Sequence, residues 1–140
     1  MAATAAAKQI ITELEIAELQ NLQKTIGQKV LIIKFGAEWC GPCKKIAPMF
    51  YQFVNNSPEN IMFADINVDE SINLYLAFKR YKMVTGIPVF LAFFGDNKHS
   101  DGKWYIPDDS VIGADEAQVA SFFARCVTKA NAFGGYTYYS

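Results

Sequence analysis

The sequence predicts a mixed α/β sheet covered by helices on both faces. Three observations carry this expectation. Strand-like and helical patterns alternate through the first part of the chain, and two adjacent strands with a final helix follow. The strand-like runs are mostly apolar, as expected of strands buried on both sides. Between the first such run, Val30-Leu31-Ile32-Ile33, and the helical Lys44-Lys45-Ile46-Ala47 stands Trp39-Cys40-Gly41-Pro42-Cys43, a cysteine pair at a strand-to-helix junction.

In chain order, Gln9 to Thr12 reads as a short strand. Thr12 and Glu15 have capping-box spacing ahead of a helix to about Thr25, with Ile16, Leu19 and Leu22 on one face. Lys29 to Ala37 reads as a buried strand and Cys40 to Val54 as a helix that Pro48 should kink. Ile61 to Val68 is a second buried strand. A helix from Ser71 to Tyr81 follows, with Asp69 or Ser71 as its cap. Pro88 to Phe94 is a third apolar run, Gly95 to Asp108 is polar and turn-rich, and Ser110 to Ala114 is a short returning strand. Asp115 opens a last helix to about Ala130, with Val119, Phe122, Phe123 and Cys126 facing a core.

At 140 residues, with no repeat or low-complexity linker, the chain is expected to be one domain over 1–140 with a mobile tail at 134–140. A composition of 51% hydrophobic and 19% charged residues is that of a soluble globular protein. A net charge of −1 points to no nucleic acid and no anionic membrane surface. Neither a secretory signal nor a membrane span of about 20 apolar residues is read in it. Three cysteines, an odd number with one tight pair, fit a reducing compartment, so the cytoplasm is expected; a monomer is expected as well.

Two cysteines separated by two residues close a disulfide with almost no loop to constrain, which suits exchange better than stapling. At the start of a helix, free N–H groups and the positive end of the dipole favour a thiolate at Cys40. The competing reading is a zinc half-site. Tetrahedral zinc needs four ligands, and Cys126 and His99, the remaining cysteine and histidine, form no second tight pair, so no metal is expected. Cys126 reads as a small buried hydrophobe, His99 as solvated, and Trp104 and Tyr105 as covering a sheet edge.

Ala37-Glu38-Trp39-Cys40-Gly41-Pro42-Cys43-Lys44, with Ala47-Pro48, Gly86-Ile87-Pro88 and Gly113-Ala114, resembles the thioredoxin family over roughly Ile10 to Lys129. The resemblance implies a five-stranded mixed sheet flanked by four helices, and reduction of protein disulfides. It implies Cys40 as the exposed nucleophile and Cys43 as the resolving thiol. Trp39, Gly41, Pro42, Ile87, Pro88 and Gly113 would form the substrate groove, with Pro88 after a cis bond. It implies no cofactor beyond the Cys40–Cys43 disulfide. The partners it implies are disulfide-containing protein substrates and a flavin-dependent thioredoxin reductase using NADPH as donor.

Three departures from the family stand out. Lys34 occupies the place of a usual buried aspartate, and Asp65 that of its usual lysine partner. Counting by twos lets Asp65 share the face of Lys34 on the next strand, so a buried Lys34 is expected to pair with Asp65 as catalytic support. Gly36 replaces a bulky aromatic, which would loosen packing behind the cysteines. The connection from Phe94 to Ser110 is longer than in a minimal thioredoxin. Ile32 to Gly36, Asp65-Ile66 and that connection also resemble the thioredoxin-fold protein of the spliceosome. The alternative reading is therefore a non-catalytic interaction module.

Overall fold

The computed structural model describes residues 8–97, 99 and 101–134. The tail expected over 134–140 falls, from 135 onward, outside the described residues. Five strands, β1 (Ile10–Ile11), β2 (Val30–Gly36), β3 (Ile61–Asn67), β4 (Val89–Phe94) and β5 (Asp109–Ile112), form one sheet in the order β1-β3-β2-β4-β5. The first three run parallel, while β4 is antiparallel to β2 and to β5. Four helices cover it: α1 (Ile16–Thr25), α2 (Gly41–Asn56), α3 (Ile72–Arg80) and α4 (Glu116–Ala132). This is the mixed five-stranded sheet with four helices that the sequence led us to expect.

β2 is the centre of the molecule, and all seven of its residues are buried. Alternation sends Leu31, Ile33 and Phe35 to one core with Leu19, Leu74 and Phe78, and Val30 and Ile32 to the other with Ile46, Phe50 and Phe122. Each such side chain contributes about 1.5–3 kcal/mol by leaving water, so the two cores rather than the polar contacts hold the sheet between its helices. Gly95 is required where β4 turns away, because a Cβ there would overlap the Gly27 carbonyl oxygen.

Several local expectations are corrected. The first capping box lies three residues later, with Glu15 at the N-cap and its N–H donating to Glu18 Oε1 at 2.8 Å. Leu14 explains the shift, since it is buried in the core from the extended segment before the helix. Neither Asp69 nor Ser71 caps α3 through its side chain. Ser71 holds the N-cap position without such a bond, and Asp69 is engaged by Trp39. α2 ends at Asn56, two residues beyond the expected Val54. β5 begins and ends earlier than expected.

The long connection after β4 is packed rather than merely solvated. Trp104 is buried against Phe78 and Tyr81, and Gln23 donates to its carbonyl at 2.7 Å, so it joins the core under α3 instead of covering a sheet edge. His99 is half-buried, 3.1 Å from Asp108 and edge-on to Phe93, because Asp108 also gathers the Phe94 and Asn97 donors at the loop neck.

Candidate active site

β2 ends at Gly36, and a turn over Glu38 and Trp39, in which the Cys40 N–H donates to the Ala37 carbonyl at 3.2 Å, brings the chain to the start of α2 at Gly41. Cys40 is the N-cap of α2, and Cys43 lies in its first turn. The two are joined in a disulfide, the oxidised state of the pair, with Cα atoms 5.2 Å apart. The Cys43 N–H donates to Cys40 Sγ at 3.2 Å, so a free helix-end donor points at that sulfur. Together with the helix dipole, this favours negative charge on Cys40 once the bond is reduced. Cys40 was expected to be the exposed member, yet it is only 5% exposed in this state. The loop before β4 crosses it, with the Ile87 carbonyl 3.9 Å from Sγ.

The Ile87–Pro88 bond is cis. Gly113, at φ +95°, donates its N–H to the Pro88 carbonyl at 2.8 Å, which fastens the end of β5 beside that loop. Ile87, Pro88 and Gly113 therefore lie together, next to Cys40. Gly41 and Pro42 are exposed at the helix start. Trp39 is 69% exposed and turns its indole N–H the other way, to Asp69 Oδ2 at 2.8 Å.

Beneath the pair is a cavity of about 320 Å³ whose lining includes Lys34, Gly36, Cys43, Tyr51 and Asp65. Lys34 is 6% exposed and stands opposite Asp65 in the β2–β3 register. Its Nζ is 3.3 Å from Asp65 Oδ1 and 5.3 Å from the centroid of the Phe50 ring, a charge pair backed by an aromatic face. The Tyr51 hydroxyl donates to the other oxygen, Asp65 Oδ2. Burial first, then this hydrogen bond and the Asp65 charge, push the Tyr51 hydroxyl up to about 12. Gly36 keeps the cavity open, because a Cβ there would lie 3.4 Å from Cys43 Sγ and 3.7 Å from Lys34 Nζ.

Tyr51 is the member of this group that sequence reasoning missed. Cys43, Ala47 and Tyr51 recur at every fourth position of α2 and all line the cavity, so the stripe through the second cysteine was the available signal.

Comparison with known proteins agrees with this architecture. The family model described as Thioredoxin matches residues 13–124. The chain is 37% identical over 78 residues to Thioredoxin domain-containing protein 8 of Mus musculus, a match covering 56% of this chain and 58% of the mouse protein. It is 37% identical over 102 residues to a thioredoxin of Neurospora crassa, covering 70% of this chain and 71% of that protein. Among solved structures, Malassezia sympodialis thioredoxin superposes with a TM-score of 0.65 at 22% identity, over 91% of this chain and 99% of the other, a likeness of fold. The chain thus spans less than two thirds of the mouse relative. With the family model matching most of its length, and with the sheet, the helices and the cysteine pair in place, the chain belongs to the thioredoxin family.

Proposed function

We propose that this protein is a thiol-disulfide oxidoreductase that reduces protein disulfides through Cys40 and Cys43. The observation that carries the reading is the Cys40–Cys43 disulfide closed at the N-terminus of α2, under the loop of Ile87 and Pro88. A bonded pair in that position also argues against the interaction-module reading, in which the cysteines are incidental.

In the reduced protein, the Cys40 thiolate attacks one sulfur of the substrate disulfide and the other leaves as a thiolate. A mixed disulfide results. Cys43, as its thiolate, then attacks Cys40 Sγ, and the second substrate sulfur leaves. Two electrons pass to the substrate, and the two cysteine protons end on the substrate thiols. Trp39, Gly41, Pro42, Ile87, Pro88 and Gly113 form the surface on which an extended substrate segment rests. Lys34 and Asp65 support the second step, because an ammonium near Cys43 favours its thiolate. Electrons return from a flavin-dependent, NADPH-using thioredoxin reductase, the donor that the family generally uses. The cytoplasm, which keeps such pairs reduced, is the proposed setting.

Insulin reduction driven by dithiothreitol tests the reading. Wild type is expected to accelerate it, Cys40→Ser to fall to the uncatalysed rate, and Cys43→Ser to stall as a mixed disulfide visible by mass. Full turnover by Cys40→Ser would reject the proposal.

A further inference from the structure

The cation beneath the cysteine pair bears on the equilibrium of the reaction as well as on its rate. Lys34 Nζ and Cys43 Sγ both lie within 4 Å of the point that a Gly36 Cβ would occupy, so the ammonium and the sulfur face the same gap. Lys34 is buried, which leaves its field little screened by solvent. The oxidised pair is a neutral disulfide, whereas the reduced pair carries negative charge once a thiol ionises. A neighbouring cation stabilises only the charged reduced form. Stabilising the reduced form makes a dithiol couple a stronger oxidant.

The other titratable groups on this cavity are Asp65, Tyr51, Glu38, Lys44 and Glu70. Asp65 opposes Lys34 and keeps its charge while it accepts from Lys34 and Tyr51, but Lys34 Nζ lies nearer to the gap beside Cys43 than any Asp65 atom. Glu38, Lys44 and Glu70 are exposed, and water screens them.

We propose that Lys34 sets the redox poise of the Cys40–Cys43 couple, raising its potential so that its substrates are labile disulfides, strained or exposed, rather than low-potential structural ones. This rests on the disulfide-reductase reading above. The balanced exchange that measures it is protein disulfide plus two glutathione thiols giving protein dithiol plus glutathione disulfide.

The experiment equilibrates wild type, Lys34→Met, Lys34→Gln and Lys34→Arg with glutathione buffers from about pH 5 to about pH 9, and counts free thiols after alkylation. Both neutral variants take the counter-charge from Asp65 at some cost in stability, but that carboxylate is partly exposed and retains Tyr51 as donor, so the fold is expected to survive; Lys34→Gln also keeps a donor for Asp65. Lys34→Met is expected to lower the constant for reduction about tenfold at the alkaline end, a shift of about 30 mV for this two-electron couple. The gap should narrow as pH falls and the thiols become neutral. Lys34→Gln should follow Lys34→Met, and Lys34→Arg should stay near wild type. Equal constants in wild type and both neutral variants, or a gap independent of pH, would overturn the proposal. Failure of wild type to exchange with glutathione at any pH would instead remove the reductase reading on which it rests.

Discussion

Cys43 and Cys126 are the same side chain, both buried, at 4% and 0% exposure, on two helices that cover the same sheet. Cys126 sits in the middle of α4, in the core with Val119, Phe122 and Phe123. Burial pushes its thiol up to about 12; Asp109 acts in the same direction and Arg125 against it. Cys43 lies in the first turn of α2, bonded to Cys40, with Lys34 across an open cavity. Burial alone silences a thiol. In the function proposed, a helix N-terminus and a buried cation make the same burial serviceable, because they offer a thiolate the charge compensation that hydrocarbon withholds.

The largest expected effect is in reactivity. In the reduced native protein near neutral pH, iodoacetamide should label Cys40 first, with Cys126 on the order of 10³-fold slower, since its thiolate fraction is negligible. Mass mapping of the labelled peptides checks this. Prompt labelling of Cys126 without denaturant would break the contrast.

A smaller effect is expected in alkaline stability. The folded Cys126 thiol keeps its proton to about 12, against an ordinary value of 9.0. Between those values the unfolded chain binds fewer protons, so stability is lost as pH rises through that window. Urea unfolding should show wild type losing up to about 1.4 kcal/mol more per pH unit than Cys126→Ala over that range. Parallel pH profiles for the two proteins would mean that the thiol titrates normally.

The smallest effect concerns the gap itself. A Gly36→Ala methyl would meet Cys43 Sγ at 3.4 Å, an ordinary contact, so the fold should tolerate it. Filling the gap that Cys43 Sγ and Lys34 Nζ share, it should slow resolution of a mixed disulfide about twofold to fivefold, by desolvating the Cys43 thiolate. Stopped-flow measurement of that step, with unchanged attack by Cys40, would sharpen the comparison; an unaffected rate would remove Gly36 from it.

Much of this site was legible in the chain. The junction of an apolar run with a helical pattern located Cys40 and Cys43, because both signals are local. The Lys34–Asp65 pairing was legible through the resemblance, which sets the two at the places of the family's buried aspartate and its lysine partner, and a period of two lets them share a face; the register that puts them opposite each other came from the sheet itself. The tertiary structure decided the rest. Tyr51 reaches Asp65 only because α2 lies on β3 at a particular rotation, which periodicity leaves free. Leu14 moves the first capping box because the core claims it, and Trp104 and His99 are taken inward by Phe78, Asp108 and Phe93, far off in sequence or across a loop. Local patterns state which faces must be covered. Which side chains meet beneath those faces depends on how distant segments pack, and that is settled by shape and burial in three dimensions.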